Sequence, residues 1–194
     1  MARPREFDET VALEGAMNAF WARGYEGTST QDLCDATGLG RSSIYNTFTS
    51  KRALFERALD HYSARGIRIR TAVIEGSGDA AEKIARLLED LIEDELKHAR
   101  RGCLVVNTVA EFGVRDKEIT AHIEADTAAH LAQLTACARA GQADGSITKD
   151  RKPTDIAQFV HSTIAGLRLM SRRGESGAAM RAVADIAVSA IATH

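Results

Sequence analysis

The chain is predicted to be all-α: an N-terminal three-helix helix-turn-helix head joined to a C-terminal helical body, about nine helices in all. Three observations predict this. Aromatic residues make up only 5% of the chain and alanine is abundant, so runs that would build strands are scarce. Apolar residues recur at helical spacing, and strand-like alternation is absent. Glycines, prolines and capping residues punctuate the chain where these periodic segments stop.

The first helix is expected from about Glu6 to Arg23, with Val11, Leu13, Ala16, Met17, Phe20 and Trp21 on its apolar face and Gly24 ending it. A short second helix is expected to start near Thr28 and stop at Gly38. Thr28-Ser29-Thr30-Gln31 has the form of a capping box between Thr28 and Gln31. The third runs from about Arg41 to Thr47. Thr49-Ser50 then caps a fourth, from Lys51 to about Ala72, with an inward stripe of Leu54, Phe55, Ala58, Leu59 and Tyr62. Glu75-Gly76-Ser77-Gly78 breaks the chain between head and body. The expected division is therefore residues 1–50 as the head, helix four (51–74) as the connection, and 75–194 as the body.

In the body, Asp79 with Glu82 is expected to cap a helix striped by Ile84, Leu87, Leu88, Leu91 and Ile92, closed by Arg100-Arg101-Gly102. The next runs from about Cys103 to Gly113, and Asp116 caps a long one reaching Gly141. After a loop to Lys152, Pro153 opens a helix carrying Ile156, Phe159, Val160, Ile164, Leu167 and Met170. Gly174 to Gly177 joins it to a last helix, about Ala178 to Thr193.

The formal net charge is -2, so the chain as a whole is no polycation, and nucleic-acid binding requires a local patch. Cys34, Cys103 and Cys137 lie far apart with no metal or disulfide spacing, which fits a reducing compartment. No signal sequence or membrane-spanning run is apparent, so the expected location is the cytoplasm. P-loop, full GxGxxG, HExxH and GxSxG motifs are absent, and no enzyme activity or cofactor is expected. His122 and His130 are eight apart and His161 could approach them, but the expectation is separate histidines and no metal site.

The turn Gly38-Leu39-Gly40 between two short helices is the physical description of a helix-turn-helix. Gly38 suits the left-handed backbone that ends a helix, and Leu39 can plug the angle. In the third helix, Ile44 and Phe48 are four apart and face the core. Arg41, Ser42, Ser43, Tyr45, Asn46 and Thr47 are left outward, with chemistry that reaches base edges and phosphates. The Tyr45 ring could instead pack on helix four. Lys51 opposes the dipole of helix four, a misfit that a phosphate would relieve. From Gly38 to Arg57 the cations Arg41, Lys51, Arg52 and Arg57 face one anion, Glu56.

An ordered set of residues now carries a resemblance: Ala19-Phe20, Gly24-Tyr25-Glu26-Gly27-Thr28-Ser29, Leu33, Gly38, Arg41 to Phe48 and Ser50 to Phe55. The chain resembles the TetR family of bacterial regulators over about its first quarter. The resemblance implies a homodimeric regulator, in most cases a repressor, on a palindromic double-stranded DNA operator. Thr28 and Ser29 would contact phosphate, Arg41, Ser42, Ser43, Tyr45 and Asn46 would lie at the groove, and Lys51 on the backbone. Gly40 departs from the pattern by depriving helix three of a capping hydroxyl.

Two recognition helices about one helical turn apart read a palindrome. The body is therefore expected to dimerise, and its last two helices, apolar and alanine-rich, are the candidates; alternatively they serve only the internal core. The resemblance also implies a small-molecule or reactive effector held between body helices. Phe112, Ile123, Phe159 and Leu167 are candidate lining residues, though each also suits plain core. Cys103, at a helix start beside Arg100 and Arg101, is a candidate electrophile or oxidant sensor, since both features stabilise a thiolate. A similar Gly-Cys occurs in members of the family that sense such agents; the alternative is a small buried hydrophobe. Two other readings stay open: an enzyme in a helical body, and an adaptor that has lost DNA binding.

Overall fold

The structure, a computed structural model, describes residues 8–97, 101–113 and 115–193. Among them are nine helices: α1 (Glu9–Arg23), α2 (Thr30–Thr37), α3 (Arg41–Phe48), α4 (Lys51–Ile74), α5 (Ala80–Lys97), α6 (Leu104–Phe112), α7 (Lys117–Asp144), α8 (Pro153–Arg172) and α9 (Gly177–Ser189). The only extended pairing among the described residues is one antiparallel bridge between Ile147 and Ala192.

Most helix ends fall where local chemistry puts them. Asp8 accepts from the N–H groups of Thr10 and Val11 to start α1. Ser50 caps α4 through the Ala53 N–H, and Asp116 caps α7 through that of Ile119. Asp79 and Glu82 exchange side-chain-to-backbone bonds of 2.9 and 3.0 Å, a capping box at the head of α5. Gly38 ends α2 with φ 69°, in the left-handed region.

Helix α9 ends at Ser189, short of the expected Thr193, and three further differences from the sequence expectation bear on the packing. The capping box of α2 is one residue later: Ser29 Oγ accepts from the Asp32 N–H, and Asp32 accepts from the Ser29 N–H. Thr28 is instead fully buried, donating to the Gly24 carbonyl at 2.6 Å. Ser29→Ala is expected to cost about 1 kcal/mol, read as a lower midpoint in urea unfolding. Secondly, Val11 is 64% exposed, and Ala12 takes its place in the core. Thirdly, α7 runs through Gly141 to Asp144 and ends at Gly145, φ 89°. Gly141 is a contact glycine: a Cβ there would lie 2.6 Å from Ile147 Cγ1 and 2.7 Å from Ala80 Cβ.

Buried side chains form two clusters. The first packs Ala16, Met17 and Phe20 of α1 against Leu33, Ile44 and Phe48 and against Leu54, Phe55 and Leu59 of α4. Leu104 and Val105 of α6 and Ile119 of α7 complete it. The second joins α5, α7, α8 and α9 through residues such as Ile84, Leu88, Leu134, Val160, Leu167 and Met180. Helix α4 serves both, since Val73 and Ile74 pack on the second cluster. Each fully buried aliphatic side chain contributes roughly 1.5–3 kcal/mol, so the cores hold α3 and α6 at fixed angles to α4.

Candidate nucleic-acid interface and sensor cavity

Helix α3 follows α2 across Gly38-Leu39-Gly40 and turns only Ile44 and Phe48 into the core. Arg41, Ser42 and Asn46 are exposed, while Ser43, Tyr45 and Thr47 are half-buried. Gly40 offers no side-chain cap, as its missing hydroxyl requires. Tyr45 is tethered to α2, not α4: its hydroxyl lies 3.2 Å from Thr30 Oγ1. The Arg41 guanidinium sits 6.0 Å from the Tyr45 ring centroid, which presents both on one face.

The cation excess of this region shrinks on folding. Arg52 is taken by Asp116 at 2.5 Å and by Glu56, and Arg57 pairs with Glu9. Arg52 holds the Asp116 carboxyl down to about 2. Lys51, expected to need a phosphate, has a partner inside the chain: its Nζ lies 4.4 Å from the Tyr25 ring centroid. Among the described residues Arg41 and Lys51 are the cations of this face that form no ion pair. Of the two residues placed at phosphate, Ser29 is exposed with its hydroxyl spent on Asp32. Thr28, by contrast, is withdrawn from the surface.

Between α4, α5 and α8 lies a cavity of about 310 Å³, and a smaller one of about 150 Å³ adjoins it towards α6 and α7. Tyr62, Arg70, His130, Ile164 and Arg168 line both. Cys103 and Ile123 line the smaller one. Cys103 is the N-cap of α6 and half-buried. The charged groups near it differ from those expected. Arg101 stacks over Trp21 at 4.2 Å and donates to Asn18, and Arg100 lies outside the described residues. The thiol instead faces the Tyr62 hydroxyl and the Arg168 guanidinium, which donates to that hydroxyl at 2.8 Å. Burial, then Cys103, push the Tyr62 hydroxyl above its ordinary range, so it stays a neutral phenol.

A model described as bacterial regulatory proteins, tetR family, matches residues 12–58. A second, described as Tetracyclin repressor-like, C-terminal domain, matches residues 80–187. The chain belongs to the TetR family. One curated relative, the HTH-type transcriptional repressor ComR of Escherichia coli (strain K12), is 30% identical over 176 residues, 90% of this chain and 84% of that protein. Among solved structures, a cysteine mutant of the TetR family regulator CifR complexed with a 26-base-pair double-strand operator is 31% identical. The match covers 98% of this chain and 100% of that one, with a TM-score of 0.84. The reduced form of Escherichia coli NemR, at 20% identity and TM-score 0.86 over 95% of this chain and 96% of that one, shares the fold.

Within this TetR-family chain the candidate lining residues separate. Ile123 faces the smaller cavity. Phe112 stacks on Phe55 and meets Tyr25 at a tilt in the head core, and Leu167 is fully buried in the body core. Phe159 is 43% exposed on the outside of α8. Among the described residues no cluster of His, Cys, Asp or Glu could hold a metal ion. His122 pairs with Asp60 at 2.6 Å, while His130 and His161 meet through their Nδ1 atoms at 3.1 Å. Burial, then Arg70, holds the His130 imidazole down to about 3, so it is neutral. No helix among the described residues is long and apolar enough to cross a membrane.

Sequence reading missed Arg70 and Arg168 as cavity residues. The signal was present in α8: Arg168 is four residues past Ile164 and so shares its apolar stripe. It also missed Glu111, at the other end of α6, whose carboxylate accepts from the N–H groups of Tyr25 and Glu26 at 2.9 and 2.7 Å.

Proposed function

We propose that this chain is a homodimeric transcriptional repressor, acting in the cytoplasm on a palindromic operator and released when its body senses an effector or a reactive agent. The observation that carries the reading is the outward face of α3. Arg41, Ser42 and Asn46 are exposed there on a helix fixed by two buried residues after a left-handed Gly38. Relatives named as repressors support the regulatory role. Ser43, Tyr45 and Thr47 border the groove-facing surface, Lys51 reaches backbone phosphate, and Ser29 contributes its position at the N-terminus of α2. Residues 1–50 form the DNA-binding part, α4 connects it, and residues 75–194 sense and dimerise. Phe159 and Leu169 of α8 and Val183 and Ile186 of α9 are exposed apolar side chains, and the last two helices supply the dimer contact.

Helix α6 couples the cavity to the head. Cys103 and the cavity lie at its N-terminal end, where Trp21 of α1 donates to the Gly102 carbonyl at 3.0 Å. Glu111 at its C-terminal end holds the Tyr25–Glu26 backbone. A shift of α6 strains both attachments and tilts α1 with its recognition helix, so the two half-site spacings of the dimer no longer match the operator.

The test is fluorescence anisotropy of the purified protein on DNA from its own promoter region, across a salt series. Tight, sequence-dependent binding that weakens steeply with salt is expected, with two protomers or a multiple per site. Arg41→Ala is expected to relax base preference, and Lys51→Ala to weaken all sequences alike, at a cost of about 1–3 kcal/mol for a base contact. Equal binding to random DNA would overturn the reading.

A further inference from the structure

Three buried polar atoms have no hydrogen-bond partner around the paired cavities: Arg70 Nη2, Arg168 Nε and His130 Nε2. All three residues line both cavities. Buried donors of this kind are rare unless a ligand, ion or water completes them. The two guanidinium groups are otherwise only part-occupied. Arg70 Nε donates to Gln133 at 3.1 Å, and Arg168 Nη1 to Tyr62. Neither is in an ion pair among the described residues. Two cations therefore share one partly buried space: the Arg168 charge works against that of Arg70, while burial opposes the Arg168 charge and Cys103, Tyr62 and Glu95 support it.

The surrounding carboxylates do not remove this excess. Glu95 is buried near Arg168 but its oxygen is held by the Gly102 N–H and the Ser171 hydroxyl, at 3.2 and 3.1 Å. Asp126 acts on Arg70 from beyond ion-pair distance. Asp90 and Asp94 are exposed at the mouth. Burial first, and the Arg168 charge as well, hold Arg70 below its ordinary range, with Asp126 working the other way. Arg65 also lines the larger cavity but is paired with Glu14 at 3.8 Å, and the remaining wall is largely apolar, with Trp21, Val73, Leu87, Leu91 and Ile164. Its volume of about 310 Å³ is at the small end for a small-molecule site.

We propose that this cavity binds a small organic acid, its carboxylate received by Arg70 and Arg168 and its apolar body lying against Trp21, Leu87 and Leu91. Guanidinium groups match a carboxylate's two oxygens, and charge-assisted bonds are the strong ones. The His tautomer in which His161 donates to His130 leaves His130 Nε2–H as a third donor. A neutral ligand would leave both guanidinium groups without an ion-pair partner. The proposal deepens the repressor reading by naming the chemical class of its effector, and rests on that reading only for the effect on DNA.

Trp21 is the chain's only tryptophan and lines the cavity, so its fluorescence reports occupancy directly. The full-length protein is titrated with octanoate and with 3-phenylpropionate, each beside its uncharged amide, at constant chloride. Saturable binding of an acid at least about tenfold tighter than its amide is expected. Arg168→Gln and Arg70→Gln should each weaken the acid by about tenfold or more while leaving the amide unchanged, and Arg168→Lys should restore part of the loss. Circular dichroism verifies that each variant is folded, and the two arginines test the idea independently. Acids that bind no better than amides, no binding of either acid, or acid affinity untouched in both arginine variants would overturn the proposal. Operator binding is measured on the same samples. Specific DNA binding without acid binding sinks the acid site and leaves the repressor; acid binding without specific DNA binding does the reverse.

Discussion

Gly15→Ala is expected to abolish operator binding while the body stays folded. Gly15 lies on α1 where that helix crosses α2, and a Cβ built there overlaps the Ala36 carbonyl oxygen, with the carbonyl carbon at 3.0 Å. The obstacle is backbone, so no rotamer change relieves it. Either α2 moves away from α1 or the end of α2 unwinds. Both displace α3, because its position depends on the Gly38 turn that closes α2. The cost is about 3 kcal/mol, the upper part of the range for overpacked sites. It falls on the head cluster, since the cluster of α5, α7, α8 and α9 shares no buried residue with it. Anisotropy should show loss of specific binding, and hydrogen exchange should show weakened protection in α1–α3 with α8 and α9 unchanged. Tight operator binding by the folded variant would mean that the α1–α2 crossing is not what orients the recognition helix.

The second large effect is expected at Cys103. Treating the protein with N-ethylmaleimide should lower operator affinity by roughly 5–150-fold, the usual span of allosteric coupling. The sulfur of the thiolate bonds to one alkene carbon of the maleimide, and the neighbouring carbon takes a proton from water. The adduct has to fit a cavity of about 150 Å³ already bordered by Tyr62, Val105 and Arg168, so α6 must shift. Cys137 is buried, and burial pushes its thiol up, which slows its reaction. Cys103→Ser should therefore keep DNA affinity after treatment, and a Cys34→Ser, Cys137→Ser double variant should lose it like the original. If Cys103→Ser responds as strongly as the original chain, the sensor is elsewhere.

Helix α3 was legible in the sequence because its determinants are local. Gly38, Gly40, Ile44 and Phe48 set its start and its buried side within eleven residues. The capping of α2 was misplaced by one because Thr28 and Ser29 both suit the role, and only packing decides between them. Thr28 reaches the Gly24 carbonyl inside the core, which leaves Ser29 at the cap. The end of α7 was misread for a related reason: Gly141 looked like a terminator, and its neighbours Ile147 and Ala80 come from remote segments. The cavity was the least legible feature. Its arginines come from α4 and α8, its tryptophan from α1 and its thiol from the start of α6, and no periodicity links positions that far apart. Phe159 and Leu167 share a helix with Arg168 but face solvent and core, a distinction that needs the partners of α8.

The head's core has one consequence for how such regulators diversify. Leu104 and Val105 of α6 and Ile119 of α7 belong to it, although they follow the head in the chain by about fifty residues or more. A recombination that exchanges only the first 74 residues with those of a relative strips three anchoring side chains from the graft. It also removes the carboxylate that ties down Tyr25 and Glu26. A hybrid that keeps this core must inherit α6 together with the first 74 residues. Point changes along the exposed face of α3, by contrast, leave these contacts intact.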